Sequence, residues 1–198
     1  MSAFTAFTAV LDAAKPETKG TYKMPDFAAL SIQKLGRFGV KLDETVNEKI
    51  KRYCQMGIHN LGHTTEYASD KFFPDDRTGD VEFDADIATF ESGFNHAYLE
   101  RWLQETGYRL AGLKEGLDIV CPISTAEFRG RMPLFLAGQY AALKTGKQGK
   151  RVILRFSQVG THYYDQPVRP LSTSRIEVDG TWPKTYATIN LLVLREAA

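Results

Sequence analysis

The spacing of apolar residues predicts short helices at the start of the chain. Phe4, Phe7 and Val10 recur at helical intervals, so an amphipathic helix is expected within residues 2–14. A polar stretch without this periodicity follows and is predicted to be a loop. A second short helix is expected over residues 26–35, where an aspartate stands at the start and a glycine follows the end.

The strongest helix signal begins at Thr45. Thr45 and Glu48 match a capping box, in which each side chain accepts a hydrogen bond from the backbone N–H of the other residue. Apolar residues then recur on one face from Val46 to Leu61. The sequence therefore predicts a long helix that continues toward the phenylalanine pair at residues 72–73.

A further helix is predicted after an acidic connector. Residues 75–86 contain six Asp or Glu residues and are interpreted as a solvated loop whose last members cap the next helix. The alternative is a Mg²⁺ or Ca²⁺ site, since clustered carboxylates suit hard cations. The helix itself is expected from Ile87 to Trp102, where apolar residues form a buried stripe, and Gly107 is its stop signal.

Beyond residue 107 the pattern changes from helical spacing to short strand-like runs separated by turn residues. The predicted strands are residues 108–113, 117–123, 151–159, 175–178 and 185–195, the last two as a hairpin, with one helix over residues 134–143. Helices first and strands later are typical of an α+β fold. We therefore predict a helical N-terminal half packed on a mainly antiparallel sheet from the C-terminal half, in a single domain of residues 1–198.

Composition places the chain among ordinary globular proteins. Hydrophobic residues make up 43% and charged residues 25% of its 198 residues, which excludes a disordered class. The two cysteines, Cys54 and Cys121, do not match a zinc-finger spacing. The sequence shows neither a signal peptide nor an apolar run of about 20 residues, so a cytoplasmic location, in a cell or an infected host cell, is expected.

The two halves of the chain carry opposite net charges. The formal net charge is +1, but residues 1–100 carry −5 and residues 101–198 carry +6. This asymmetry favours contact between the second half and a polyanion, or head-to-tail association of copies that salt would weaken. The alternative is that the two halves neutralise each other within one fold.

A glycine-containing basic segment is the leading candidate for a nucleic-acid interface. Glycines let backbone N–H groups approach phosphates, and residues 144–151 carry four cations. Arginines on either side can extend the patch, and a tyrosine pair that follows can stack on bases. The candidate residues are Lys144, Lys147, Lys150, Arg151, Arg155, Arg129, Arg131, Tyr163 and Tyr164. A solvated loop and buried sheet aromatics are the alternatives.

Two histidines on the predicted long helix suggest a metal site. His59 and His63 are four residues apart, so both would lie on one helix face, and Glu66 and Asp70 would continue it. The HExxH pattern of metalloproteases is not matched. A solvated polar helix face is the alternative.

The sequence lacks the common signatures of an enzyme, such as a nucleophile elbow, a P-loop or a dinucleotide-binding glycine motif. No cofactor is expected. We therefore favour a non-enzymatic subunit of a larger assembly, such as one of phage or plasmid type, whose partners are copies of itself or other subunits and whose basic half contacts DNA or RNA. Two alternatives stay open: a purely structural homo-oligomer, such as a virion component, and a metal-dependent enzyme that uses the His59/His63 helix.

Overall fold

The computed structural model describes most of the chain from residue 28 onward. The described residues are 28–58, 65–123, 125–128, 130–143, 150–157, 171–176, 182 and 184–197. Within them, the strands are β1 (Ser31–Lys41), β2 (Asp80–Glu91), β3 (Arg109–Leu110), β4 (Leu134–Leu143), β5 (Lys150–Phe156), β6 (Leu171–Ile176) and β7 (Thr188–Glu196). The helices are α1 (Val46–Gln55), α2 (His96–Thr106) and α3 (Leu113–Val120), with a 3-10 turn at Thr125–Phe128.

These strands form one sheet in the order β1–β2–β7–β4–β5–β6, and the short β3 pairs with β7 beside β4. Neighbouring strands are antiparallel except β4 and β7, which are parallel. The predicted α+β class and mainly antiparallel sheet are therefore confirmed. β7 pairs with β2, β3 and β4, so the middle of the sheet is built from the C-terminal strand.

Helices cover both faces of the sheet. Leu192 and Leu194 of β7 belong to a hydrophobic cluster that also contains residues of α1 and α3, whereas Leu191 and Val193 belong to a second cluster with residues of α2. A strand that is buried on both faces has no alternation of apolar and polar residues. Its sequence pattern is then difficult to distinguish from that of a buried helix.

This double burial explains the difference at β4, and three other sequence-based predictions are also wrong. Residues 134–143 form β4 rather than a helix, and Leu134 and Phe135 are buried in the two different clusters. Residues 31–35 of the predicted second helix belong to β1, and residues 117–120 are helical in α3 rather than extended. β6 and β7 do not form the predicted hairpin, because β6 pairs with β5.

Most of the acidic connector is part of a strand. Its Asp and Glu residues from position 80 onward alternate with apolar residues in β2, and the strand register places three of them opposite cations of β1. The opposed pairs are Lys34 with Asp86, Arg37 with Asp84, and Lys41 with Asp80. Arg37 Nε lies 3.0 Å from Asp84 Oδ1. The predicted solvated loop is therefore wrong from residue 80 onward, because these residues form strand β2, in which Asp84 pairs with Arg37 across the two strands.

The predicted division into a helical first half and a strand-rich second half does not describe these residues. β1 and β2, the longest strands described, come from the first half, and α3 comes from the second. Two local predictions are confirmed: Thr45 and Glu48 form the capping box of α1, and Gly107 ends α2 with a φ of 71°. Within the described ranges, no helix is long and apolar enough to cross a membrane.

Candidate functional site

Helix α3 carries three charged side chains into the interior. All of its residues are buried, including Lys114, Glu115 and Asp118, which are 6%, 0% and 5% exposed. The helix begins after Gly112, whose backbone N–H donates to Glu115 Oε2 at 2.6 Å. Because burying an unpaired ion costs several kcal/mol, each of these charges needs partners.

Asp118 is the centre of one cluster, between α3 and α1. Its carboxylate accepts hydrogen bonds from Lys49 Nζ, from Arg52 Nη2 at 2.9 Å and from the Tyr53 hydroxyl at 3.0 Å. These three donors follow one another within about one turn of α1. The backbone N–H of Lys41, at the end of β1, donates a further bond at 2.9 Å. One carboxylate therefore joins α3 to both α1 and β1.

This environment keeps Tyr53 and Arg52 in their ordinary charge states. Burial, followed by the charge of Asp118, raises the pKa of Tyr53 above its ordinary value. Burial alone would lower the pKa of Arg52, but its 2.7 Å hydrogen bond to Glu44 and the charge of Asp118 help to raise it. Near neutral pH Tyr53 keeps its proton and Arg52 keeps its charge. Neither group is tuned for general acid–base catalysis, which needs a pKa near the working pH.

Glu115 is the centre of a second cluster. Its Oε1 accepts hydrogen bonds from Arg109 Nη2 at 2.5 Å and from Arg77 Nη1 at 2.7 Å. Arg77 is also held by Asp75 at 2.6 Å. Burial by itself would raise the pKa of Glu115, but the two guanidinium groups and the Gly112 N–H outweigh it and lower this pKa. Glu115 is therefore ionised at neutral pH and anchors two arginines.

Lys114 forms the third set of contacts. Its Nζ donates to the backbone carbonyl of Leu42 at 2.7 Å and lies 3.9 Å from Asp70 Oδ1. Asp70 Oδ2 accepts the Val46 N–H at 2.9 Å, at the N-terminal end of α1, where a carboxylate is favoured by the helix dipole. Asp70, one of the predicted metal ligands, therefore connects its loop to α1 and α3.

These contacts form a structural ionic network. Asp118, Glu115 and Asp70 each face a cation and also accept a hydrogen bond from a backbone N–H. Charges satisfied in this way fix the relative positions of elements and have little capacity left to bind a substrate. Within the residues that the structure describes, no group of three or more His, Cys, Asp or Glu side chains is arranged to hold a metal ion.

An open depression of about 320 Å³ lies beside this network, at the start of α1. Its lining residues are Asp43, Glu44, Glu48 and Arg52. Glu44 accepts hydrogen bonds from Arg52, and Glu48 completes the capping box with Thr45. Three of the four lining residues, Glu44, Glu48 and Arg52, are therefore already engaged in helix capping or ion pairing.

The predicted metal ligands do not share one described helix. α1 ends at Gln55, and Gly57 follows with a φ of 98°, so the helix does not reach position 59. His59 and His63 lie outside the described residues, and Glu66 is exposed. The helical argument for this site is lost, and the metal site itself stays a prediction.

The structure describes only part of the predicted nucleic-acid interface. Five candidates lie outside the described residues: Arg129, Lys144, Lys147, Tyr163 and Tyr164. Lys150 and Arg151 begin β5, whose predicted extended conformation is confirmed. Lys150 pairs with Leu143, so the candidate basic segment connects two antiparallel strands rather than a helix and a strand.

The two remaining candidates have partners inside the fold. Arg155 is half-buried, and its guanidinium carbon lies 5.4 Å from the centre of the Tyr186 ring. Arg131 Nη1 donates to Ser31 Oγ at 2.8 Å and to Thr89 Oγ1 at 2.7 Å. Arg131 therefore contacts β1 and β2, which are separated from β5 by β7 and β4 in the sheet order.

The sequence-based search missed Lys49, Glu115 and Asp118. The signal for Asp118 was a carboxylate within the apolar run at residues 117–121, because a charge in such a run requires a buried partner. The sequence does not identify that partner, since Lys49 is 69 positions away.

The contacts of this chain are the only guide to its function. Comparisons with family models, with curated proteins and with solved structures find no match. The function is therefore inferred from the residues and their geometry alone.

Proposed function

We propose that the chain is a non-enzymatic subunit of a larger assembly that contacts nucleic acid at its basic β4–β5 connection. The observation that carries this proposal is the strand register at one end of β5. Lys150 pairs with Leu143 at the end of β4, and Arg151 pairs with Ile176 at the end of β6. Residues 144–149, which join β4 to β5 in sequence, contain two further lysines.

Strand β6 supplies another cation at this end. Arg175 pairs with Val152, so along the strands it is displaced by one residue from Arg151 and by two residues from Lys150. With about 4.8 Å between strands and about 3.3 Å per residue, the Cα atoms of the three cations lie within about 10 Å of one another. Cations this close can neutralise neighbouring phosphates and release their counterions.

The balance of charge along the sequence also supports a polyanion-binding site at this end of the sheet. The cations are Lys144, Lys147, Lys150, Arg151 and Arg175, and the nearest acids in sequence after β6 are Glu177 and Asp179. Cations therefore outnumber acids here by five to two. A segment with net positive charge favours a polyanion over a small neutral ligand.

The interior supports a binding role rather than a catalytic one. The buried charges on α3 bond to arginines, lysines and backbone N–H groups, and Lys49 is 0% exposed. A catalytic acid or base must reach the substrate and exchange a proton with it. The described interior offers structural anchoring, so the basic β4–β5 connection is the better candidate for function.

The proposal is tested by changing Lys147 and Lys150 together to alanine. Each phosphate contact contributes about 0.7–0.9 to the slope of log K against log salt, so the double variant is expected to reduce the slope by about 1.5. Binding should weaken similarly for all nucleic-acid sequences, because phosphate contacts carry no sequence information. The measurement is a fluorescence-anisotropy salt titration with labelled single-stranded and double-stranded DNA and RNA.

The matched control changes two exposed lysines elsewhere. Lys34 lies on β1, at the opposite edge of the sheet, and Lys51 lies on α1. Their double alanine variant should keep the wild-type slope, and an equal loss would contradict the location. No binding by the wild type at about 50 mM salt would favour a purely structural homo-oligomer. A zinc-dependent rise in melting temperature that His63→Ala removes would favour the metal-dependent enzyme.

A further inference from the structure

Two buried side-chain N–H donors have no hydrogen-bond acceptor within the described part of the chain. They are Nε of Arg155, on β5, and Nε1 of Trp182. An unsatisfied buried donor destabilises a fold, so the great majority of buried polar groups in proteins have a partner. These two donors therefore mark a place where an acceptor from outside the described residues would be favoured.

Arg155 differs in this respect from the other half-buried arginines whose side chains the structure describes. Arg52, Arg109 and Arg131 each donate to a side-chain oxygen of the chain, at 2.7, 2.5 and 2.8 Å. Arg155 instead lies against an aromatic ring, with its guanidinium carbon 5.4 Å from the centre of the Tyr186 ring. No described carboxylate pairs with it. Its charge is therefore available to an anionic ligand.

The two donors border one cluster of aromatic rings on the α2 face of the sheet. Phe135, on β4, is directly opposite Arg155 in the strand register. The ring centre of Phe135 lies 5.7 Å from that of Tyr186 and 5.9 Å from that of Trp182, and both contacts are edge-to-face. Phe135 and Trp182 are fully buried, whereas Arg155 and Tyr186 are only half-buried. Arg155 and Tyr186 are therefore the members that a ligand can reach from solvent.

We infer that Arg155 and Tyr186 bind one unpaired nucleotide of a single-stranded nucleic acid. Unpaired bases stack on aromatic rings and on the planes of arginine guanidinium groups. A nucleotide also carries carbonyl and phosphate oxygens, which accept hydrogen bonds from a guanidinium. This base site rests on the proposed function and deepens it, because it favours a single strand over a duplex.

The position of Arg155 on β5 connects the base site to the basic β4–β5 connection. Arg155 follows Arg151 by four residues, which is about 13 Å along a strand. Lys150 and Arg151, at the start of β5, can therefore contact phosphates while Arg155 and Tyr186 hold a base of the same strand. A duplex keeps its bases inside the stack, so it would offer these residues its phosphates alone.

The test compares the wild type with Tyr186→Leu, which keeps apolar bulk against Phe135 but removes the ring. Fluorescence anisotropy is measured with a labelled single-stranded oligonucleotide and with a duplex of the same length. Loss of one stacked base is expected to weaken single-strand binding about 5- to 150-fold. Duplex affinity and the slope of log K against log salt should stay at their wild-type values, because no phosphate contact is removed. Tyr186→Phe keeps the ring and should bind like the wild type.

A second variant tests the guanidinium. Arg155→Lys keeps the charge but loses the planar group that stacks and donates in a fixed geometry. It should weaken single-strand binding at least about fivefold without changing the salt slope. Tyr67→Leu is the matched control, since Tyr67 is also half-buried and packs edge-on against Phe72, which contacts the cluster on the opposite face of the sheet. Tyr67→Leu should bind like the wild type, and circular dichroism checks that each variant is folded.

The possible outcomes separate the base site from the proposed function. Unchanged single-strand affinity in Tyr186→Leu or in Arg155→Lys, or an equal loss with the duplex, overturns the base site. If Lys147→Ala/Lys150→Ala still reduces the salt slope in that case, the proposed function stands. The reverse result is a wild-type slope in Lys147→Ala/Lys150→Ala with weakened single-strand binding in Tyr186→Leu. A wild type that binds neither probe overturns both proposals, and if Tyr186→Leu does not fold, Arg155→Lys decides.

Discussion

Among single residues, Asp118 has the largest part in joining elements that are distant in sequence. Its carboxylate is the counter-ion of Lys49, which is 0% exposed, and it also receives Arg52, Tyr53 and the Lys41 N–H. A buried ion pair is often no better than an apolar pair of the same size, but a half-removed pair leaves a charge in the interior. The cost of losing Asp118 is therefore much larger than the net value of the pair.

Replacing Asp118 by alanine is expected to lower the free energy of unfolding by about 3–5 kcal/mol, because the buried Lys49 then loses its nearest counter-ion and keeps only the carboxylate of Glu44, 3.9 Å from its Nζ. Asp84→Ala is the matched control. Asp84 pairs with Arg37, but both side chains are about half exposed, so its loss should cost less than about 1 kcal/mol. Urea denaturation of both variants measures the difference. Equal losses in the two variants would show that the buried network does not hold α3 to α1.

At the level of elements, β4 and the β3–α3 junction approach more closely than a side chain allows. A Cβ atom on Gly138 would lie 2.6 Å from the backbone oxygen of Leu110 and 2.8 Å from the carbonyl carbon of Ala111. The Gly138 N–H donates to the Ala111 carbonyl at 2.9 Å. Glycine at this position therefore lets β4 continue the sheet where β3 ends.

Gly138→Ala is expected to destabilise the protein by about 1–3 kcal/mol, because the new methyl group displaces backbone atoms rather than a flexible side chain. Gly39, on β1, is the control, since nothing lies within 4 Å of a Cβ built there and its φ is not positive. Gly39→Ala should be neutral or should stabilise the protein by up to about 1 kcal/mol through the unfolded state. Thermal melts of the two variants should therefore shift in different directions or by clearly different amounts. A Gly138→Ala variant as stable as the wild type would contradict the close approach.

For the whole molecule, the buried carboxylates make stability depend on pH. The pKa of Glu115 is lowered in the folded state, as described above. Burial alone would raise the pKa of Asp75, but its hydrogen bonds to Arg77 outweigh this and lower it. As the pH falls toward the pKa values that Glu115 and Asp75 have in the unfolded chain, both carboxylates therefore bind fewer protons in the folded chain than in the unfolded chain. Their stabilising contribution is present above those values and is lost as the pH falls through the folded pKa values.

The free energy of unfolding is expected to be steady near neutral pH and to fall as the pH drops below about 4.5, the ordinary pKa of a glutamate. Glu115→Gln should be less stable than the wild type at neutral pH, because Arg77 and Arg109 lose their shared anion. It should also lose less stability on acidification, since it has one fewer group to protonate. Urea denaturation between neutral pH and about pH 3 measures how the free energy of unfolding changes with pH in the wild type and in Glu115→Gln. If Glu115→Gln lost as much unfolding free energy on acidification as the wild type, Glu115 would not contribute to the pH dependence.

The sequence by itself determined the features that depend on neighbouring residues. The capping box of Thr45 and Glu48, the left-handed Gly107 and the extended conformation of β5 all follow from contacts or patterns within a few positions. These signals, together with the mixture of helical and strand-like patterns, were sufficient for the α+β class. Arg151 was likewise identified from the local sequence as the start of a strand, one residue after the start that the structure gives at Lys150.

Only the tertiary structure decided the features that depend on distant partners. Residues 117–120 form a helix and residues 134–143 a strand, and the sequence pattern does not distinguish them, because residues 117–120 and 134–137 are buried and such apolar runs carry no usable period. β7 lies at the centre of the sheet, and Lys49 meets Asp118, through contacts across long stretches of chain. The partner of a strand or of a buried ion depends on three-dimensional geometry and on desolvation. The spacing of neighbouring residues in the sequence does not indicate which distant residue that partner is.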